Sequence, residues 1–162
     1  MRRIALCVAV VGLSLASAAA EQVVWQIGKP DKSYDEFFGA RNYPAVPARL
    51  GGKPLVFEVG KSDAAKDWPF IHPGPVDFWA GHGVHPFTIR FALADEPRGV
   101  FTLRIEFCDT QGMSPPVYEV TVGGQKGRFR LPAGGGDASL TNPAAGKPYA
   151  ITLTLPATLF RK

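Results

Sequence analysis

The residues of this chain best suited to chemistry are gathered in one stretch. Residues 67–86, DWPFIHPGPVDFWAGHGVHP, hold two of the three tryptophans, all three histidines and four prolines. Three chemistries draw on such a set. A zinc site is one, but His82 and His85 would share a face only on a helix, and Gly81 and Gly83 work against a helix there. Asp77 is the only carboxylate near them and no cysteine joins them, so no metal ligand is assigned and the histidines are read as shaping the loop through hydrogen bonds. Hydrolysis or elimination is the second. It needs a nucleophile with a positioned base, or facing carboxylates, or a base and a cation beside a uronate. Ser114 and Ser139 have no elbow motif around them. Asp67, Asp77, Glu106 and Asp109 are scattered in the chain, so no catalytic residue is assigned, and a lyase or hydrolase acting through the 67–86 loop stands as the alternative.

The third chemistry is the strongest. Trp68, Phe70, Phe78 and Trp79 lie among prolines and glycines that stiffen the loop. A flat indole covers the C–H face of a sugar while polar neighbours take its hydroxyls. A pre-stiffened loop loses less entropy on binding. The carbohydrate-contacting set read from the sequence is Trp68 and Trp79 as platforms, with His72, Asp77, His82 and Arg90 as hydroxyl partners. The opposite orientation of the same rings, folded inward to cap a sandwich, stays open.

The elements that must carry this loop read as strands. Phe87, Ile89, Phe91 and Leu93 alternate with polar or small residues, as do Phe101, Leu103, Ile105 and Phe107, the period of half-buried strands. Residues 23–27, 55–59, 117–122 and 151–155 make further strands. Gly123-Gly124 joins 117–122 to 125–131 as a hairpin. Trp25 and Ile27 are read as sealing one end of the core. Residues 34–38 allow a turn or two of helix at most, and Gly134-Gly135-Gly136, with no helix expected after it, is a turn and not a phosphate loop. The fold class expected is all-β, a β-sandwich of jelly-roll type.

The first twenty residues read as a secretory signal peptide: Arg2-Arg3, an apolar run over 4–15, then Ala18-Ala19-Ala20, with cleavage after Ala20. Cys7 follows Leu6 and not a small residue, so it is no lipid anchor. Residues 21–162 remain as one domain of about 142 residues, periplasmic or extracellular, with no membrane attachment after cleavage. The net charge of +4 falls to +2 when Arg2 and Arg3 leave, and no basic cluster remains to bind nucleic acid. Cys108 is left without a partner cysteine and is read as a buried, inert thiol. The composition leaves room for a structural calcium ion without naming its ligands. Leu159-Phe160-Arg161-Lys162 ends without a turn or closing strand, so the domain is expected to lack its last strand or to lead a longer protein.

Several segments together resemble one family. Val24-Trp25-Gln26-Ile27-Gly28-Lys29-Pro30-Asp31 with Glu36-Phe37 resembles the opening of the carbohydrate-binding-like third domain of polysaccharide lyase family 4, the rhamnogalacturonan lyases. Asp67-Trp68-Pro69, His72-Pro73-Gly74-Pro75, Asp77, Trp79-Ala80-Gly81 and the run from His85 to Phe91 look like its middle, and Gly146-Lys147-Pro148-Tyr149 with 151–157 like its approach to the last strand. The resemblance implies a galactose-binding-like jelly roll in pectin or other polysaccharide metabolism. It carries no lyase residues, because the family's catalytic groups lie in a separate domain. The expected function is a secreted, non-catalytic carbohydrate-binding module. Its partners would be a polysaccharide or oligosaccharide and a C-terminal catalytic domain outside this chain. A purely structural domain packing against such a partner is a further alternative.

Overall fold

Alternation along 100–107 becomes a strand with one face in the core. Phe101, Leu103, Ile105 and Phe107 are buried while Arg104 and Glu106 face outward and pair, Nε to Oε1, at 2.6 Å. In the computed structural model, the described residues are 8–16, 22–42, 45–50, 54–69 and 86–160. They form an all-β sandwich built from three sheets. The largest is antiparallel, with strands in the order β2 (Gln22–Gly28), β1 (Val8–Ala16), β5 (Val100–Phe107) and β8 (Tyr149–Pro156). β3 (Leu55–Glu58) and β4 (Phe87–Arg90) make a parallel pair. β6 (Val117–Val122) and β7 (Gln125–Arg130) make the expected hairpin.

The hairpin turn depends on glycine twice over. Gly123 and Gly124 have φ of 54° and 80°, and a Cβ on Gly123 would collide with the carbonyl of Leu159. Side chains of the two small sheets and the inner face of the large one share a single core around Trp25, Ile27, Phe57, Trp68, Phe107 and Leu155. Trp25 is 6% exposed and packs on Phe91 with ring centroids 5.5 Å apart, the core-sealing role read from the sequence. Cys108 is likewise buried, its thiol donating to the Ser33 carbonyl at 3.1 Å.

The structure adds to or alters the expected elements at three points. The strand beginning at Phe87 stops at Arg90 instead of running to Leu93. Its parallel partner has already turned back, with Lys61 and Ser62 donating to the Glu58 carbonyl, so residues beyond Arg90 have no ladder to join. Phe91 and Leu93 still pack on the core from irregular backbone. The glycine run at 134–136 is followed by a short 3-10 turn, Asp137–Leu140, which is too brief to present a phosphate-binding helix end. Short helices also form at α1 (Ala45–Leu50) and α2 (Ala64–Asp67), neither of them foreseen.

The apolar run assigned to the leader has a place in this fold. β1 pairs antiparallel with β2 on one side and β5 on the other, with Leu13 opposite both Trp25 and Leu103. Its Val- and Leu-rich sequence suits a strand buried on one face. Among the described residues, no helix is long and apolar enough to cross a membrane.

Candidate functional site

The 67–86 loop begins where α2 ends. Asp63 caps that helix, its Oδ1 accepting the Ala65 N–H at 3.0 Å, and Asp67 Oδ2 accepts the Asp63 N–H in return at 2.9 Å. The helix stops at Trp68, which is extended and is thereby turned into the core. Trp68 is only 3% exposed. Phe57 meets it edge-on at 5.8 Å and Phe87 lies against it at 4.9 Å. The backbone is held as well: the Phe38 N–H donates to the Trp68 carbonyl at 3.0 Å, and Phe38 and Pro69 form a parallel bridge. Arg49 of α1 sits over the Phe38 ring at 4.1 Å.

The other end of the loop is fixed by β4. Leu55 N–H donates to the Pro86 carbonyl at 3.2 Å, and Phe87 is the ring that packs on Trp68. Both ends of the loop are therefore clamped together by one aromatic contact. Such clamping lowers the entropy that loop residues lose when they order around a ligand.

This geometry places only part of the expected carbohydrate set. His72, Asp77, Trp79 and His82 lie outside the described residues, as do Phe70, Phe78 and His85. Trp68 lies inside them, but its faces are occupied by Phe57 and Phe87, so in this structure it anchors the loop and offers no open platform to a sugar. Arg90 is exposed on the outer side of β4, 3.9 Å from Glu58 across the parallel pair, while Phe87 and Ile89 of the same strand face inward. The period-2 alternation thus puts Arg90 and Trp68 on opposite faces, and the structure does not bring these two together.

Beneath the loop ends lies a cleft of about 290 Å³ between the sheets. Trp25, Trp68, Phe87, Phe91, Tyr118 and Phe160 supply its aromatic lining. It is chiefly apolar, and the Trp25 indole N–H is buried without a hydrogen-bond acceptor. Burial also pushes the Tyr118 phenol well above its ordinary value of 10.0. A raised phenol pKa means that the folded state keeps its proton where the unfolded chain has lost it. Tyr118 therefore contributes full stability below pH 10 and loses it as pH rises toward its folded value. In an alkaline titration followed at the phenolate absorbance, Tyr118 is expected to ionise well above the pH at which exposed tyrosines do. Tyr118→Phe should remove that part of the pH dependence, and reversible ionisation of Tyr118 near pH 10 in the folded protein would contradict the raised value.

The carboxylates weighed for catalysis are not assembled. Asp67 is engaged in the α2 cap, Glu106 pairs with Arg104 on the outer face, and Asp109 is buried at the end of β5. Asp77 lies outside the described residues. Ser139 Oγ donates to the Gly136 carbonyl at 3.0 Å. Among the described residues, no group of three His, Cys, Asp or Glu could hold a metal ion.

Asp109 is the polar residue whose importance the sequence did not show. It is 1% exposed, and its Oδ1 accepts the N–H groups of Gly135 at 2.6 Å and Lys147 at 3.1 Å. Its Oδ2 is buried without a hydrogen-bond partner. One carboxylate thus holds the 134–136 turn and the 146–147 turn against the end of β5. A Cβ on Gly134 would run into the Thr110 carbonyl and Asp109 itself. An Asp just past a strand end and glycine turns at 134–136 and 146 further along the chain were the available signal, but neither spacing nor pattern says that they meet.

The described residues form an all-β sandwich in which Trp68 and Phe87, at the two ends of the 67–86 segment, pack together beside an apolar cleft. The chain belongs to the CBM-like family, domain III of polysaccharide lyase family 4, whose model matches residues 23–162. It is a carbohydrate-binding-like domain of the kind associated with polysaccharide degradation. Neither the curated proteins nor the solved structures contain a match to the chain.

Proposed function

We propose that this chain is an exported, non-catalytic domain that binds a pectic, rhamnogalacturonan-type polysaccharide and holds a degrading enzyme on it. The observation that carries this reading is the family match over 23–162. The clamped loop adds physical support, since Trp79 belongs to a segment whose two ends are rigidly held. In this proposal Trp79 stacks on a sugar face, with Asp77, His72 and His82 taking hydroxyls. Arg90, on the outer face of β4, contributes only if the chain of sugars wraps over that strand.

Affinity electrophoresis in gels containing rhamnogalacturonan, homogalacturonan or unrelated glycans tests the proposal. Retardation is expected in the pectic gels, and Trp79→Ala is expected to weaken it at least about tenfold, as loss of an aromatic anchor does. Migration of the wild type unchanged by every glycan would rule out binding.

A second reading is favoured by the burial of both Trp25 and Trp68. In it the domain packs against a catalytic partner domain and touches no sugar. That reading gains if no glycan retards the protein and Trp79→Ala changes nothing but association with the enzyme domain.

A further inference from the structure

The position of β1 is at odds with its composition. It lies inside the largest sheet, between β2 and β5, yet it comes from the apolar run of a leader-like sequence. The family match begins only at residue 23, after this strand has ended. Cleavage after Ala20 would remove a central strand.

The consequence for the sheet is large. Among the described residues β2 pairs only with β1, so without β1 the strand that carries Trp25 and Ile27 has no ladder. β5 would lose its partners from Val100 to Phe107 on one side. Two rows of backbone N–H and C=O groups would be opened, together with the inner face over Trp25, Leu103 and Ile105. An edge of this kind is a template for another strand.

The seated segment shows what fits. Leu13 is 2% exposed between Trp25 and Leu103, and Val11 lies opposite Ile27 and Ile105. Ser14, next in the chain, is also buried. The ladder slips between Leu13 and Ser14 on the β2 side and between Val8 and Val10 on the β5 side. The segment therefore sits in the slot without a continuous register, with Leu13 as its core-packed side chain, and a regular strand would pair more completely.

We infer that the slot between β2 and β5 is a strand-acceptor site. Val8–Ala16 is its exchangeable occupant. After the leader is removed, the slot takes an extended segment of a partner polypeptide, one that runs antiparallel to both neighbours. That segment presents large apolar side chains at every second position toward the core and small or polar ones outward. This inference rests on the export reading for the removal of β1, but the acceptor property itself does not depend on export.

The experiment uses the full chain with a protease site inserted between Ala20 and Glu21. The folded protein is cut under native conditions and mixed with a fluorescein-labelled synthetic peptide of residues 8–16. Fluorescence anisotropy, near-ultraviolet circular dichroism and light scattering are then recorded. One labelled peptide is expected to enter per chain. An unrelated peptide with the same apolar alternation should enter as well, and a peptide carrying Leu13→Asp should bind at least about tenfold more weakly because it buries a charge. The inference is overturned if the cut chain sheds residues 1–20 and keeps its near-ultraviolet spectrum while taking up no peptide. It is equally overturned if the cut chain unfolds and no peptide restores it. Dimers forming without peptide uptake would mean that a second copy fills the slot in place of a partner. The N-terminus of the exported protein, read by mass spectrometry, tests cleavage separately: a retained Met1 would end the export reading and leave the acceptor result standing.

Discussion

Trp68→Ala is expected to lower the unfolding free energy by about 3–5 kcal/mol, the range for deleting a large buried ring and leaving its cavity. Trp68 is covered by Phe57 and Phe87, and its removal strips both of a partner at the point where the two ends of the 67–86 loop meet. The backbone bond from Phe38 to the Trp68 carbonyl survives the substitution, so the effect isolates the side chain. Trp68→Phe keeps a ring in the site and should cost markedly less. Urea unfolding measures both; the midpoint should fall with little change in slope. A loss below about 0.5 kcal/mol, the level of an ordinary surface substitution, would mean that the indole is not held in the core. The pair of tryptophans then separates stability from binding. Trp79→Ala should reduce glycan retention, whereas Trp68→Phe, measured where it is folded, should leave retention intact.

Asp109→Ala is expected to cost on the order of 2–6 kcal/mol, because it strands the two N–H groups of Gly135 and Lys147 at a penalty of about 1–3 kcal/mol each. Asp109→Asn keeps the accepting oxygen and removes a buried charge, so it should be far milder than alanine. Gly134→Ala should destabilise alongside Asp109→Ala, since its methyl group would enter the Thr110 carbonyl and push the same turn off the strand end. Thermal unfolding of the three variants under identical conditions makes the comparison. If alanine and asparagine at 109 prove equally mild, the two turns do not depend on the carboxylate.

Much of the sheet structure was legible because its signal is local. β5, β6, β7 and β8 each repeat apolar and polar residues with period 2, and Gly123-Gly124 marks the one tight hairpin between them. Trp25 could be assigned to the core for the same reason: it alternates with Gln26 beside Ile27. The parallel pairing of β3 with β4 was not legible, because it joins strands on either side of the long loop and no short-range pattern encodes such a partner. Nor was the end of β4 at Arg90. The apolar alternation continues to Leu93, and only the turn made by its neighbour stops the ladder.

The same division runs through the aromatic loop. Composition alone identified residues 67–86 as a proline-rich segment rich in indole and imidazole, and Gly81 and Gly83 argued against a helical metal pair there. Which way Trp68 faces could not be read from neighbours in sequence. It is decided by Phe57 and Phe87, brought to it by the parallel strand pair, and by α2 ending one residue earlier. The apolar run at 4–15 carries a leader's composition whatever surrounds it, but whether part of it can serve as a strand depends on β2 and β5 leaving a slot of the right width and polarity. The sequence by itself determined the all-β class, most strand positions and the family likeness, since alternation and motif spacing are properties of the chain. Tertiary structure decided the burial of Trp68, the separation of Trp68 from Arg90, the hub at Asp109 and the seat of β1. Each of these depends on side chains and backbone edges that meet only when distant segments pack.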